Sequence, residues 1–180
     1  MMEVKTFYFN PYRECTYVVH IDESTCFIVD PGCYGEKEEQ RLLDYLTTQR
    51  LQPIAVFITH YHPDHVCGLP FVQVHYPTIP IIDWKTDNLQ IYKFTNLQIL
   101  PTPGHKEDAC CFYLPDEKLI FTGDTLFQES IGRTDLPGGD MKQLIQSLEQ
   151  LKQLDDETIV YPGHGYSTTI GHEKDYNPYL

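Results

Sequence analysis

Basic residues are scarce in this chain. Thirteen lysines and arginines stand against 26 aspartates and glutamates, a formal charge of −13 over 180 residues. Nucleic-acid partners need clustered Lys and Arg to displace counterions from phosphates, and anionic membrane surfaces attract polybasic segments, so neither is expected as a partner. Long apolar runs are missing too. The longest, Ala109–Leu114, has six residues against the ~20 a membrane-spanning helix needs. The opening Met1-Met2-Glu3-Val4-Lys5 lacks the apolar core of a signal peptide, which points to the cytoplasm. There is also no Cys-x-x-Cys. Cys15, Cys26, Cys33, Cys67, Cys110 and Cys111 are irregularly spaced, so free and mostly buried thiols are expected rather than a disulfide framework. Cys67 is the one with metal-capable neighbours, and a packing role is expected for it.

What is present describes a globular chain. At 41% hydrophobic and 13% aromatic it is expected to form one domain over residues 1–180, burying roughly 70% of its unfolded surface. Val4–Phe9, Thr16–Ile21 and Thr25–Val29 read as a β-meander broken by Asn10-Pro11 and Asp22-Glu23-Ser24. Glu36–Leu51 reads as a helix with Leu42, Leu43 and Leu46 on its buried side, and Ile54–Ile58 as a strand covered on both faces. Further strands are expected at Ile79–Ile82, Leu89–Phe94, Leu97–Leu100, Cys110–Leu114, Lys118–Phe121 and Thr158–Tyr161. A second helix should run from Met141 to Leu154, with Met141, Leu144, Ile145, Leu148 and Leu151 inward and Asp140 and Gln143 as a capping-box pair. Many strands with a few helices between them make a layered α/β domain.

The histidines fall where such a domain assembles sites. Thr59-His60-Tyr61-His62-Pro63-Asp64-His65 places four metal-capable side chains within six residues after a buried strand. His105, Asp124 and His164 follow three later strands in Gly-marked loops. Any one of these alone reads most simply as an ordinary core or surface residue. Seven together do not, because folding asks for no such density. His20, His75 and His172 receive no role. Seven ligands are too many for one metal, whereas two metals sharing a bridging carboxylate fit them. Imidazole with carboxylate suits zinc first, with iron or manganese as alternatives.

At these residues the chain resembles the metallo-β-lactamase superfamily, whose signature T-H-x-H-x-D-H stands intact as Thr59–His65. The resemblance implies a four-layer αβ/βα sandwich. It implies that His60, His62 and His105 hold one metal, that Asp64, His65 and His164 hold the other, and that Asp124 bridges them. A hydroxide bridging the two ions would then be the nucleophile, with Asp64 and Asp124 as the catalytic carboxylates holding the centre.

Within the superfamily, Asp124 argues against antibiotic hydrolysis, because the true β-lactamases lack a bridging aspartate at that point. The segment Thr122–Asp140, with Gly163-His164-Gly165 and the closing Asn177-Pro178-Tyr179-Leu180, looks like the short glyoxalase II (hydroxyacylglutathione hydrolase-like) branch. That branch implies hydrolysis of a small-molecule thioester such as S-lactoylglutathione by a monomer or small homo-oligomer. Arg133 and Tyr166 match glutathione-contacting positions of the long enzymes, though each has an ordinary surface or packing reading beside it. Sixteen residues follow His164, so the C-terminal helical glutathione-binding domain of the long enzymes is not expected. Lys106-Glu107-Asp108-Ala109 also stands where the family often carries glycine. The rival readings are a persulfide dioxygenase with one Fe(II) on His60, His105 and Asp124, a lactone hydrolase on the same dinuclear centre, and a non-catalytic metal-dependent sensor.

Overall fold

The β-branched and aromatic residues that open the chain form three strands, β1 (Val4–Phe9), β2 (Glu14–His20) and β3 (Thr25–Val29), in the computed structural model, which describes residues 2–86 and 96–180. The β1–β2 turn closes at Asn10 (φ 51°) and Arg13 (φ 56°), with the Arg13 amide donating to the Asn10 carbonyl at 3.1 Å. That tight turn lets Glu14 pair with Phe9, so β2 begins two residues before the expected Thr16. The expected strand at Leu89–Phe94 lies outside the described residues.

The chain divides into two compact units, Met1–Ile82 and Asp83–Leu180. In the first, β4 (Gln52–Phe57) and the short β5 (Ile81–Ile82) complete a five-stranded sheet in sequence order. Pairing is antiparallel from β1 to β3 and parallel from β3 to β5. Helices α1 (Glu36–Thr48) and α3 (Leu69–His75) give Leu42, Leu46 and Val72 to one core with Phe7, Phe9, Val18, Ile28, Val56 and Ile58. Alternate strand residues on the opposite face, among them Tyr17, Phe27 and Phe57, are buried as well. Burial on both faces is what a continuous apolar run signals.

Helix α1 stops three residues before the expected Leu51. The Leu51 amide donates to the Leu46 carbonyl at 2.8 Å and the Arg50 amide to the Thr47 carbonyl at 3.1 Å, around Arg50 at φ 56°. This is a Schellman stop with arginine in the left-handed position usually taken by glycine, which is why composition did not mark it.

The second unit holds the sheet order β12-β11-β8-β7-β6. Its strands are β6 (Gln98–Pro101), β7 (Cys110–Leu114), β8 (Leu119–Gly123), β11 (Ile159–Pro162) and β12 (Thr168–Thr169), and a separate ribbon pairs β9 (Leu126–Phe127) with β10 (Ser130–Ile131). Helix α4 (Met141–Leu151) and α5 (Ile170–Tyr176) pack Leu144, Leu148, Leu151 and Ile170 against Cys111, Ile120 and Val160.

Asp140 caps α4 by accepting from the Gln143 amide at 3.0 Å. The reciprocal arm of a capping box is absent, because the Asp140 amide donates instead to the Gly104 carbonyl at 2.7 Å. Met141 and Ile145, expected inward, are 44% and 47% exposed. The buried stripe runs instead through Leu144, Ser147, Leu148 and Leu151, and Ser147 can face inward because its hydroxyl donates to the Pro103 carbonyl at 2.8 Å. The last turn tightens, with Leu154 donating to Leu151, and ends the helix before Leu154. Composition gave no warning of α5, which Thr169 caps by accepting from the His172 amide at 3.1 Å. Among the described residues no helix is long and apolar enough to cross a membrane.

Candidate metal centre

Each unit carries its own set of the seven residues. In the first unit β4 runs through buried Ile58 into Thr59 and His60, each about 1% exposed. Only His60 and His62 follow the alternation expected of an extended segment. Pro63 then starts a short helix α2 (Pro63–Val66), and it is this turn that sets Asp64 and His65 side by side, Oδ2 to Nε2 at 4.0 Å. His60 Nε2 lies 3.1 Å from His62 Nδ1. Two nitrogens on one tetrahedral ion at ~2.1 Å would be roughly 3.4 Å apart.

Asp30, at the end of β3, organises this half. Its carboxylate accepts from the Thr59 amide (2.7 Å), from the Thr59 hydroxyl (2.5 Å) and from His65 Nδ1 (2.9 Å). The consequence is a fixed set of tautomers. A carboxylate only accepts, so His65 carries its proton on Nδ1 and keeps the Nε2 lone pair. The Thr59 hydroxyl spends its hydrogen on Asp30, so His60 Nδ1, 3.1 Å away, must donate to it and again leaves Nε2 basic. Metal-ligating histidines are held this way, with the second nitrogen bonded from behind.

Nothing in the sequence marks Asp30, a lone carboxylate before Pro31-Gly32 and far from the histidine motif. Glu14, Asp30 and His65 have candidate ligand atoms within 4.8 Å of one another. Both Asp30 oxygens are already committed to hydrogen-bond donors, so this buried trio supports His65 and is no separate cation site.

The loop is also clamped from below. Asn10 Nδ2 donates to the carbonyls of Gly32 (3.0 Å) and Asp64 (2.9 Å). A Cβ at Gly32 would lie 2.3 Å from the Asp64 carbonyl, so only glycine permits this approach. Cys67 donates to the same Gly32 carbonyl at 3.0 Å, and burial pushes its thiol up from the ordinary value. A raised thiol is a poor nucleophile, in keeping with a packing role. All six cysteines are free.

In the second unit Asp124 follows β8 through Gly123 (φ 48°), and the Gly163 amide donates to the Gly123 carbonyl at 2.8 Å. That bond aligns the ends of two parallel strands and sets His164 beside Asp124. The two oxygens of Asp124 face different histidines, Oδ2 at 3.4 Å from His105 Nε2 and Oδ1 at 3.7 Å from His164 Nε2. That placement suits a carboxylate shared between two ions. His105 Nδ1 lies 2.7 Å from the carbonyl of Arg133, which can only accept, so here too Nε2 keeps its lone pair. Gly132 makes that contact reachable, since a Cβ there would sit 1.8 Å from the Asp124 carbonyl.

The two expected substrate contacts are placed differently. Tyr166 is 72% exposed on the loop after His164. The Arg133 guanidinium is already engaged, with Nε and Nη2 donating to the two oxygens of Asp135 at 2.7 Å each. Arg133 thus stands in an exposed ion pair with Asp135. Lys106 and Asp108 pair at 2.6 Å, which neutralises part of the acidic stretch after His105.

The sequence pattern of the metallo-beta-lactamase superfamily matches residues 13–98 and 93–164. The chain is 35% identical to hydroxyacylglutathione hydrolase GloC of Haemophilus influenzae, over 88% of this chain and 89% of that protein. It is similar to the crystal structure of BLEG-1 B3 metallo-beta-lactamase, with a TM-score of 0.87 and 29% identity over 99% of both chains. It is likewise similar to TTHA1623 crystallised in a di-iron-bound form, with a TM-score of 0.82 and 34% identity over 98% of this chain and 100% of that one. With its signature motif, a five-stranded sheet and helices in each unit, as the expected α/β class requires, and these matches along most of its length, the chain belongs to the metallo-beta-lactamase superfamily and has its fold.

Proposed function

We propose that this protein is a metal-dependent thioester hydrolase of the glyoxalase II type, built as one domain from both units and working in the cytoplasm. The observation that carries this reading is the back-bonding of His60, His65 and His105, each of which keeps an Nε2 lone pair for a metal ion. By the superfamily pattern, His60, His62 and His105 would hold one ion and Asp64, His65 and His164 the other, with Asp124 shared. Zinc suits this donor set first, and iron is a real alternative given the di-iron relative. When bound, the ions would supply a nucleophilic water deprotonated near neutral pH and a Lewis acid for the carbonyl.

The chain's own groups do the rest. Asp30 and the Arg133 carbonyl fix the tautomer and orientation of the imidazoles. Asp124 sets the spacing between His105 and His164. Arg133 and Tyr166 lie on loops beside these ligands, where Arg133 would grip the glycine carboxylate of a glutathione conjugate and Tyr166 would contact its glutathione portion. A relative named for hydroxyacylglutathione hydrolysis supports that substrate class. Free thiols suit a reducing compartment.

The test is elemental analysis of the purified protein together with assays on S-lactoylglutathione, a lactone, glutathione persulfide with oxygen, and a β-lactam. The last is included because a β-lactamase is among the similar structures. Thioester cleavage by protein holding two metals is expected, and an intact thioester would overturn the reading. Asp124→Ala should lower metal content and rate together; near-normal activity in that variant would refute the assigned ligands.

A further inference from the structure

We propose that Asp135 sets the substrate preference of this site by competing, within the chain, for the guanidinium of Arg133. The inference rests on the hydrolase reading above and names a specificity residue for it. The backbone of Arg133 is fixed, because its carbonyl takes the Nδ1 proton of His105. Its side chain is not fixed in the same way. The guanidinium is 61% exposed and both of its engaged donors end on Asp135, itself 67% exposed. The fork is therefore filled before any ligand arrives, one residue away from the glycine that abuts Asp124.

A ligand carboxylate reaching Arg133 must exchange one bidentate pair for another. Its net gain is the difference between two similar contacts, not the whole of one. A lone anion with no other contact gains almost nothing. A ligand already held elsewhere in the site can complete the exchange, because its carboxylate is presented at high effective concentration. Asp135 thus lowers the advantage that a carboxylate on the thiol portion gives an acyl thioester over an uncharged one. The competitor is present at every working pH, since the guanidinium beside it holds the Asp135 carboxyl down at about 2.

The test uses S-methylglutathione, a thioether that the enzyme cannot hydrolyse, with binding measured by calorimetry on the metal-loaded protein. Asp135→Asn, which is close in shape and uncharged, should bind this probe about 2- to 5-fold more tightly than the wild type, in keeping with the small worth of exposed ion pairs. The gain should vanish in the Arg133→Ala/Asp135→Asn double variant. In kinetics, Asp135→Asn should raise the kcat/KM ratio of S-lactoylglutathione over an uncharged acyl thioester by a similar factor. Unchanged or weaker binding by Asp135→Asn overturns the proposal, as does tightening that survives loss of the arginine, or no binding by any variant. If the probe behaves as expected but no thioester is cleaved, the competition stands and the hydrolase reading falls. If thioesters are cleaved while Asp135→Asn changes nothing, the reverse holds.

Discussion

Single side chains decide whether a cluster of histidines becomes a ligand set. An imidazole free to choose its tautomer and to turn is a weaker ligand than one whose other nitrogen is bonded from behind. Asp30 does this directly for His65 and through Thr59 for His60. Asp30→Asn should therefore lower metal affinity by about 10- to 100-fold, measured by competition with a chromophoric chelator, with near-native far-UV circular dichroism. Affinity equal to the wild type would reduce Asp30 to a packing role. The seven candidate ligands were legible in the sequence because four of them lie within six residues and the rest follow strands at glycine-marked loops. Asp30 was not legible. It is 35 residues from His65, and only the parallel pairing of β3 with β4 brings the two together.

At the scale of elements, the strand pattern was read closely, and the departures have local causes. Helix α1 ends where Arg50 turns into the left-handed region, closing the motif with Leu46 and Leu51 in the same core. A side chain with a Cβ is strained there and glycine is not. Arg50→Gly is thus expected to stabilise the protein by about 0.5–1 kcal/mol once glycine's larger unfolded-state entropy is offset, read as a higher urea midpoint at an unchanged slope. A lower midpoint would mean that the arginine side chain makes a contact worth more than the backbone strain. In α4 the apolar spacing placed Met141 and Ile145 inward, yet the helix presents Ser147 instead. Periodicity fixes which residues share a face. It does not fix how far that face is rotated, and here the Pro103 carbonyl and the Gly104 carbonyl set the rotation.

Across the whole molecule, charge and pH act together. Glu14 is fully buried, and burial raises its carboxyl well above the ordinary 4.5. Thr16 Oγ1 lies 2.8 Å from Glu14 and 2.7 Å from the Asp30 carbonyl. The hydroxyl has one hydrogen for these two acceptors, and burial disfavours the charged form of Glu14. The folded chain then holds a proton that the unfolded chain releases. Glu14's contribution to stability is complete below its ordinary value and is lost as pH rises toward the raised folded value. Glutamine keeps the hydrogen bond without the proton. In metal-free protein, Glu14→Gln should gain on the wild type as pH rises from about 5 to 8, followed by urea midpoints; a pH-independent difference would mean that Glu14 is ionised in the fold. Sequence alone determined the α/β class, most of the longer strands and the seven metal-capable residues, because hydrophobic period and motif density are properties of the chain itself. Tertiary structure alone decided which imidazole nitrogen stays basic, that the Glu14 carboxyl is buried and its pKa raised, and that the fork of Arg133 is already occupied. Each of these depends on a hydrogen-bond partner brought near by strand pairing or a loop turn, and the spacing of residues along a sequence carries no record of that.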